Sequence, residues 1–390
     1  SNMEGGMEIN LNKIKENDII KILFAENPGI VIQVKDKDKA EVKKILEDAG
    51  IGYVKLGTPT DERHILVTKE DATYQFGIDY LRDVWYSTSY LLDRKQSMNG
   101  CAKKRFENYK EQPLEFVFDK SFTGKFSQYG ITPERRTPTG IKAAIIREKG
   151  TNGEREMAYM LYLAGFDVKD VTMTDLISGR ETLEDINMIV FCGGFSNSDV
   201  LGSAKGWAGA FLFNPKAKAA LDNFYARKDT LSLGVCNGCQ LMIELGLINP
   251  EHNKKAKMLH NDSHKFESKF VGVTVPMNRS VMLGSLSGSK LGIWVAHGEG
   301  KFSLPYEEDK YNVVLKYSYD EYPGNPNGSD YSVAGLASSD GRHLAMMPHL
   351  ERSCFPWQNA YYPSDRINKD QVTPWIEAFV NARKWVEMNK

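Results

Sequence analysis

Cysteine is scarce here: five in 390 residues, at positions 101, 192, 236, 239 and 354. So small and odd a set excludes a disulfide scaffold and fits a reducing, cytoplasmic compartment. Long apolar runs are also missing. None reaches the ~18 residues that would cross a bilayer, and the opening residues lack a signal-peptide pattern. Neither charge sign is in excess, with 50 Lys and Arg against 51 Asp and Glu for a formal net charge of −1. That balance leaves no electrostatic footprint for nucleic acid or an anionic membrane, so neither is expected as a partner. Glycine-rich phosphate loops of the P-loop or dinucleotide type are absent, as are internal repeats and low-complexity tracts.

What is present is enough apolar residue, 41%, for real cores, in a chain long enough for two or three domains. Residues 1–6, "SNMEGG", read as an expression-tag remnant. Within 7–95, "GIVIQVKD" (29–36), "GYVKLG" (52–57) and "HILVTKE" (64–70) read as strands. "KDKAEVKKILEDAG" reads as an amphipathic helix closed by Gly50. "GIDYLRDVWYSTSYLLDRK" puts Ile78, Leu81, Val84, Trp85, Leu91 and Leu92 on one helical stripe. The piece is a small α+β fragment. Residues 96–138 are polar and proline-punctuated, which predicts a linker, although its aromatic residues suggest that it lies against something.

From 139 to 390 the pattern changes. "IKAAIIRE", "FDVKDVTM", "NMIVFCGG" and "LSLGV" are apolar strands. They alternate with the helices "GEREMAYMLYLAG", "NPKAKAALDNFYARK" and "CQLMIELG", and "TPWIEAFVNARKWVEM" closes the chain as a helix. This alternation predicts an α/β domain, a doubly wound, mostly parallel sheet covered on both faces. Its ligands should bind at the carboxyl ends of the strands, where "FCGGFS" and "GVCNGC" lie.

The stretch "TLSLGVCNGCQLMIELG" (230–246) admits several chemistries. With His260 and His264 downstream, Cys236 and Cys239 could start a zinc site, but the separation exceeds finger spacing and so large a domain needs no metal staple. A redox C-x-x-C pair would sit on a smaller, thioredoxin-sized unit. Two inert, buried cysteines are the plainest possibility. A nucleophile elbow accounts for more residues. Gly234-Val235-Cys236-Asn237-Gly238 is G-x-C-x-G, a turn from strand to helix so tight that its flanks must be small. The Asn237 N–H follows the nucleophile and can donate to an oxyanion, while the helix dipole favours the thiolate. Cys239 lacks the flanking glycines. Gly193-Gly194 offers a second backbone donor from a neighbouring strand end.

A thiolate of this type needs a base and an orienting carboxylate. Two H-x-E pairs offer them, His297 with Glu299 and His349 with Glu351, each placing both side chains on one side of an extended segment. Spacing does not choose between them. The position of His349 after the "LAMMP" strand, fixed by Pro348, favours it as the base. His297, flanked by Gly298 and Gly300, reads as a loop residue lining the substrate entrance or a domain interface.

G-x-C-x-G-x-Q followed far downstream by H-x-E resembles the class I glutamine amidotransferases. "CGGFSNSDVLGSAKGWA", "KFESKF", "VAHGEGKF", "EYPGNPNGS" and "DGRHLAMMPHLERSCFPWQ" extend the likeness over residues 139–390, to the glutamine-dependent ligases of purine synthesis. The resemblance implies a flavodoxin-like fold. It puts the nucleophile on Cys236, the base on His349 and the carboxylate on Glu351. The oxyanion loop falls on Gly193-Gly194 and a glutamine contact on Gln240. Glutamine is the implied substrate, and an upstream ATP- and Mg-using synthetase domain is the implied partner, which would turn formylglycinamide ribonucleotide into its amidine. "LFAENPGIVIQV" (23–34) is similar to the end of such a synthetase, an aminoimidazole-ribonucleotide-synthetase-like fold, so the chain reads as a C-terminal fragment with no cofactor of its own. Two departures stand out. Leu350 replaces the usual Pro of H-P-E, and Asn197-Ser198 replaces the usual Tyr-Gly after "GGFS". The alternatives are a thiol hydrolase or peptidase of the related group, or an inactive docking domain.

Overall fold

The structure, a computed structural model, describes residues 5–111 and 114–390. The chain divides into two compact units, residues 1–92 and 93–390.

The first unit contains β1 (Gly6–Asn10), α1 (Ile19–Phe24), α2 (Lys39–Asp48), β2 (Gly57–Thr60), β3 (His64–Lys69), β4 (Ala72–Gly77) and most of α3 (Ile78–Gln96). Its four strands form one sheet in the order β2-β1-β3-β4. The expected strands at 29–36 and 52–57 are not formed: residues 29–35 and 52–56 belong to no strand, Asp36 begins a 3-10 turn, Gly57 only opens β2, and Ile30 and Val31 are exposed. The apolar stripe of α3 exists as a stripe, but no residue of that helix is buried.

The second unit continues with α4 (Cys101–Glu107), β5 (Lys142–Arg147), α5 (Glu154–Ala164), β6 (Asp167–Thr172), α6 (Met173–Ser178), β7 (Met188–Phe191), α7 (Lys205–Leu212) and α8 (Pro215–Ala226). Then follow β8 (Leu231–Val235), α9 (Asn237–Glu244), β9 (Lys257–Leu259), β10 (Glu267–Thr274), β11 (Lys290–His297), β12 (Lys301–Ser303), β13 (Asn312–Tyr317), β14 (Val333–Ala337), β15 (His343–Met346) and α10 (Ile376–Asn389). Nine strands form one sheet, ordered β11-β10-β13-β14-β15-β8-β7-β5-β6. The stretch β6-β5-β7-β8-β15 is parallel, and the remaining four strands extend it antiparallel.

Numbered by chain order, the parallel half runs 2-1-3-4-5, the flavodoxin-like doubly wound order. The connection from β5 to β6 steps one way along the sheet and every later one steps the other way. Because such crossovers are right-handed, α5 is placed on one face and α6 to α9 on the other. The packing agrees: α5 lies on α10, while α6 packs on α8, α8 on α7 and α7 on α9. Strands covered on both faces must be apolar throughout, and β7 and β8 are buried at every position. The winding reverses between β5 and β7, so the crevice opens beyond their carboxyl ends. There the two loops touch: the Asn152 N–H donates to the Gly193 carbonyl at 2.9 Å and the Phe195 N–H to that of Gly150 at 2.8 Å.

Residues 96–138, expected as a linker, lie within the second unit. Cys101 and Ala102 of α4 are buried, and Phe122, Tyr129 and Ile131 join the hydrophobic core. One buried carboxylate fastens this segment. Glu267 at the start of β10 accepts from Ser263 Oγ at 2.6 Å and from the Tyr322 hydroxyl at 3.0 Å. It also pairs with Lys269 at 2.7 Å and with Arg105 of α4 at 3.4 Å. Burial pulls the Lys269 pKa down, and Glu267 opposes that pull. Glu267→Ala should therefore cost the unit about 3–5 kcal/mol, the usual result of leaving buried charge uncompensated. Urea denaturation measures it, and a loss below ~1 kcal/mol would mean that the network carries no such burden.

Candidate active site

Cys236 stands between β8 and α9 with φ 53° and ψ −106°, a left-handed backbone in a non-glycine residue. Such strain persists only where the surroundings enforce it. A Cβ on Gly238 would lie 2.0 Å from the Phe191 carbonyl oxygen, and one on Gly234 would lie 2.5 Å from that of Gly238. Both glycines of the elbow are thus demanded by backbone contact. The turn presents Cys236 at the carboxyl end of the sheet, and its thiol donates to the Ala296 carbonyl at 3.4 Å. Cys239 is wholly buried beneath, its thiol pKa pushed well up by burial.

His349 follows β15 and is held by its own N–H, which donates to the Trp294 carbonyl at 2.8 Å. Its Nδ1 lies 2.6 Å from Glu351 Oε1. The i, i+2 pairing is made by a 3-10 turn over Leu350–Arg352, and not by the extended segment that the spacing suggested. Leu350, in place of proline, is completely buried, which gives its apolar side chain a packing role. A Cβ on Gly193 would meet His349 Cε1 at 2.9 Å and Cys236 Cβ at 3.4 Å, so one glycine touches both side chains. His349 Nε2 is buried without a hydrogen-bond partner among the described residues. Burial alone would strip the proton from this ring, but the Glu351 carboxylate and Cys236 outweigh it and lift its pKa from 6.5 to about 10.

The second H-x-E pair is not assembled in this way. His297 was expected in a loop, yet it is the last residue of β11 and is 2% exposed. Its Nδ1 lies 3.2 Å from Asn261 Oδ1, and Glu299 turns instead to the Ser203 N–H at 3.2 Å. With only a neutral amide beside it, burial and the nearby His349 push its pKa down to about 3. The ring therefore lies near His349 and is closed off from solvent.

Gly194 has φ 121°, and a Cβ there would strike the Gly150 carbonyl at 2.5 Å and Thr151 Cα at 2.6 Å. The loop is tied to the elbow by Asn237, whose side-chain oxygen accepts from the Ser196 N–H at 3.1 Å and whose amide donates to Gln240 Oε1 at 2.9 Å. Gln240 in turn donates to the Glu299 carbonyl at 2.7 Å, so both ends of its amide brace the protein. Sequence reasoning missed Asn261 and the side-chain role of Asn237. In "HNDSH" only the histidines suggest chemistry, and nothing in the pattern singles out a buried asparagine.

Comparison with known proteins now decides the family. A CobB/CobQ-like glutamine amidotransferase domain matches residues 140–386. The chain belongs to that family. The human phosphoribosylformylglycinamidine synthase is 39% identical over 400 residues, covering 94% of this chain and 29% of that protein. A probable phosphoribosylformylglycinamidine synthase of Arabidopsis thaliana, chloroplastic/mitochondrial, is 37% identical over 409 residues, covering 98% of this chain and 28% of its own length. The chain thus spans under a third of the length of these relatives. Among solved structures, PurLQS from Thermotoga maritima is similar at 28% identity and a TM-score of 0.49, over 63% of this chain and 99% of that one. Within this family Asn197-Ser198 falls in a costly place: Asn197, Ser198 and Asp199 have φ of 53°, 56° and 51° in succession.

Two tests follow from this geometry. The left-handed backbone at Ser198 costs roughly 1–2 kcal/mol that glycine would not bear, so Ser198→Gly should raise stability by about 1 kcal/mol; a loss would show that the hydroxyl holds the loop. The histidines should shape the pH dependence in opposite directions. The raised pKa of His349 stabilises the fold fully below pH 6.5, and this is lost as pH climbs towards about 10. The lowered pKa of His297 gives stability present above pH 6.5 that is lost as pH falls towards about 3. In unfolding curves against pH, His349→Gln should flatten the alkaline limb and His297→Gln the acid limb. An alkaline limb that survives His349→Gln would refute the ion-pair account.

Proposed function

We propose that this domain hydrolyses glutamine through a Cys236 thioester. We further propose that it supplies the ammonia to the synthetase part of a phosphoribosylformylglycinamidine synthase. The observation that supports it most is Gly193, whose missing side chain leaves room for both His349 and Cys236 while Glu351 holds the far side of the imidazole.

In this reading His349, as the imidazolium, already holds the Cys236 proton on Nε2, and the thiolate Sγ bonds to the carboxamide carbon. The N–H groups of Gly194 and Asn237 receive the oxyanion. The C–N bond then breaks as His349 returns the proton to the leaving amine, so ammonia departs and a glutamyl thioester remains. Water, deprotonated by His349, attacks the thioester, and the thiol is regenerated as glutamate leaves. Gln240 and His297 act as neighbours of the substrate: Gln240 fixes the 298–300 turn against the elbow, and His297 supplies a neutral wall beside His349. ATP and magnesium belong to the synthetase chemistry, in which the ammonia converts formylglycinamide ribonucleotide to its amidine. Five unpaired cysteines and no helix, among the described residues, long and apolar enough to cross a membrane are compatible with the cytoplasm as its compartment.

Labelling with the glutamine-like electrophile diazo-oxo-norleucine tests the assignment. One adduct is expected, on the peptide holding Cys236, lost in Cys236→Ser and kept in Cys239→Ala. His349→Ala should lower glutamate release by orders of magnitude with little change in glutamine affinity. A label that moves to Cys239, or one that survives Cys236→Ser, would sink the elbow mechanism.

A further inference from the structure

Away from the triad, four rings form a ladder across the surface of the second unit. Trp357 stacks on Phe355 at 5.8 Å and 10°. Phe355 meets Tyr159 at 6.1 Å, and Tyr159 stacks on Tyr162 at 6.4 Å and 16°. The Arg135 guanidinium lies 4.8 Å from the Tyr162 ring centre. Beside the last two rungs is an open cavity of about 560 Å³, within the range of small-ligand sites. Arg135, Arg136, Arg155 and Asp167 bring its charges, and Tyr159 and Tyr162 its rings.

The charges do not cancel. Asp167 is taken by Arg135 at 3.1 Å and by the N–H groups of Thr139 and Gly140 at 3.1 and 2.7 Å. Its carboxyl is held below the usual range: burial opposes this, but those backbone donors and the guanidinium prevail. Arg135 is in turn committed to that carboxylate and to the carbonyls of Thr137 and Phe166. Arg136 and Arg155 remain. Both are exposed, and neither makes a hydrogen bond or ion pair among the described residues. Two uncommitted guanidinium groups therefore flank an exposed aromatic face on a wall that also carries Pro138, Phe166 and Val168.

We propose that this cavity binds a small anion carrying a planar ring, of the nucleoside monophosphate class. The phosphate would lie between Arg136 and Arg155, and the base against the exposed part of the Tyr159 ring. A guanidinium pair suits a doubly charged oxyanion, and an aromatic face suits a purine or pyrimidine. A polynucleotide is disfavoured by the net charge of −1. The inference does not depend on the glutaminase reading, since it needs neither Cys236 nor its base.

The test is titration calorimetry on the full chain with AMP, inorganic phosphate, adenosine and a short oligoadenylate. AMP is expected to bind about tenfold or more tighter than phosphate or adenosine alone, because it uses both halves of the site. The double variant Arg136→Ala/Arg155→Ala should weaken AMP by about tenfold or more, and Tyr159→Ala should weaken AMP but not phosphate. These positions are exposed, so the variants should fold, which circular dichroism and the Cys236 label would verify. No AMP binding up to millimolar concentration overturns the proposal. So does AMP binding indifferent to these substitutions, phosphate binding as tight as AMP, or an oligonucleotide preferred over the mononucleotide.

Discussion

The site depends on one close approach: the backbone of Gly238 against the carbonyl of Phe191, where a single added carbon would stand 2.0 Å from oxygen. That contact presses the start of α9 onto the end of β7. It leaves the chain no route from β8 into the helix except a left-handed residue, and Cys236 is that residue. Because Phe191 lies just before Gly193-Gly194, the contact that strains Cys236 also fixes its distance to that glycine pair. The strain, of order 1–3 kcal/mol, is opposed by the burial of β7 and β8 along their whole length. A looser sheet would relax the elbow before it reached this geometry.

The two histidines near Cys236 show how a partner decides whether burial prevails in setting protonation. Both are at least 98% removed from solvent, being 2% exposed each. His349 faces a carboxylate and is driven towards the cation; His297 faces an amide and is driven towards neutrality. Two adjacent imidazolium ions would repel in so dry a site, and the choice of Asn261 over an acid beside His297 avoids that. A ring so deeply placed and kept neutral adds shape without competing for the proton that His349 must carry.

Much of the second unit was legible in its sequence, because strands buried on both faces are written as unbroken apolar runs. Ala143 to Ile146 and Met188 to Phe191 are such runs, and both became central strands. The elbow was legible for a different reason: a backbone clash admits only glycine, so the requirement appears at fixed offsets. The failures share a cause as well. The apolar tracts at 29–36 and 52–57 have strand-like composition, but Leu11 and Val67 are the only hydrophobic residues buried among those described in the first unit. Composition cannot make a strand where no partner strand arrives. His297 was misplaced because Gly298 and Gly300 suggest a loop, whereas β11 runs on through His297 in register with Glu267. Asn261 left no signal, since its part consists of hydrogen bonds to carbonyls and one ring nitrogen.

Topology explains why the triad carboxylate could be found by spacing although the stated geometry was different. His349 and Glu351 meet through a short 3-10 turn, and that turn is forced by its surroundings. Leu350 between them is completely buried, which turns the flanking side chains back towards the sheet end. On the other side the start of α5 packs close, since a Cβ on Gly153 would lie 3.2 Å from the Arg352 guanidinium and 3.6 Å from Glu351 Oε1. Arg352 is then anchored to Asn152 at 2.8 Å. The carboxylate is therefore clamped between a core leucine and the helix that follows β5, the strand at which the winding of the sheet reverses. The proposed nucleophile, backbone donors and base follow β8, β7 and β15, while the helix after β5 supports the carboxylate proposed to orient the base. The four strands adjacent at the switch point each contribute one part, and for that reason the parts converge.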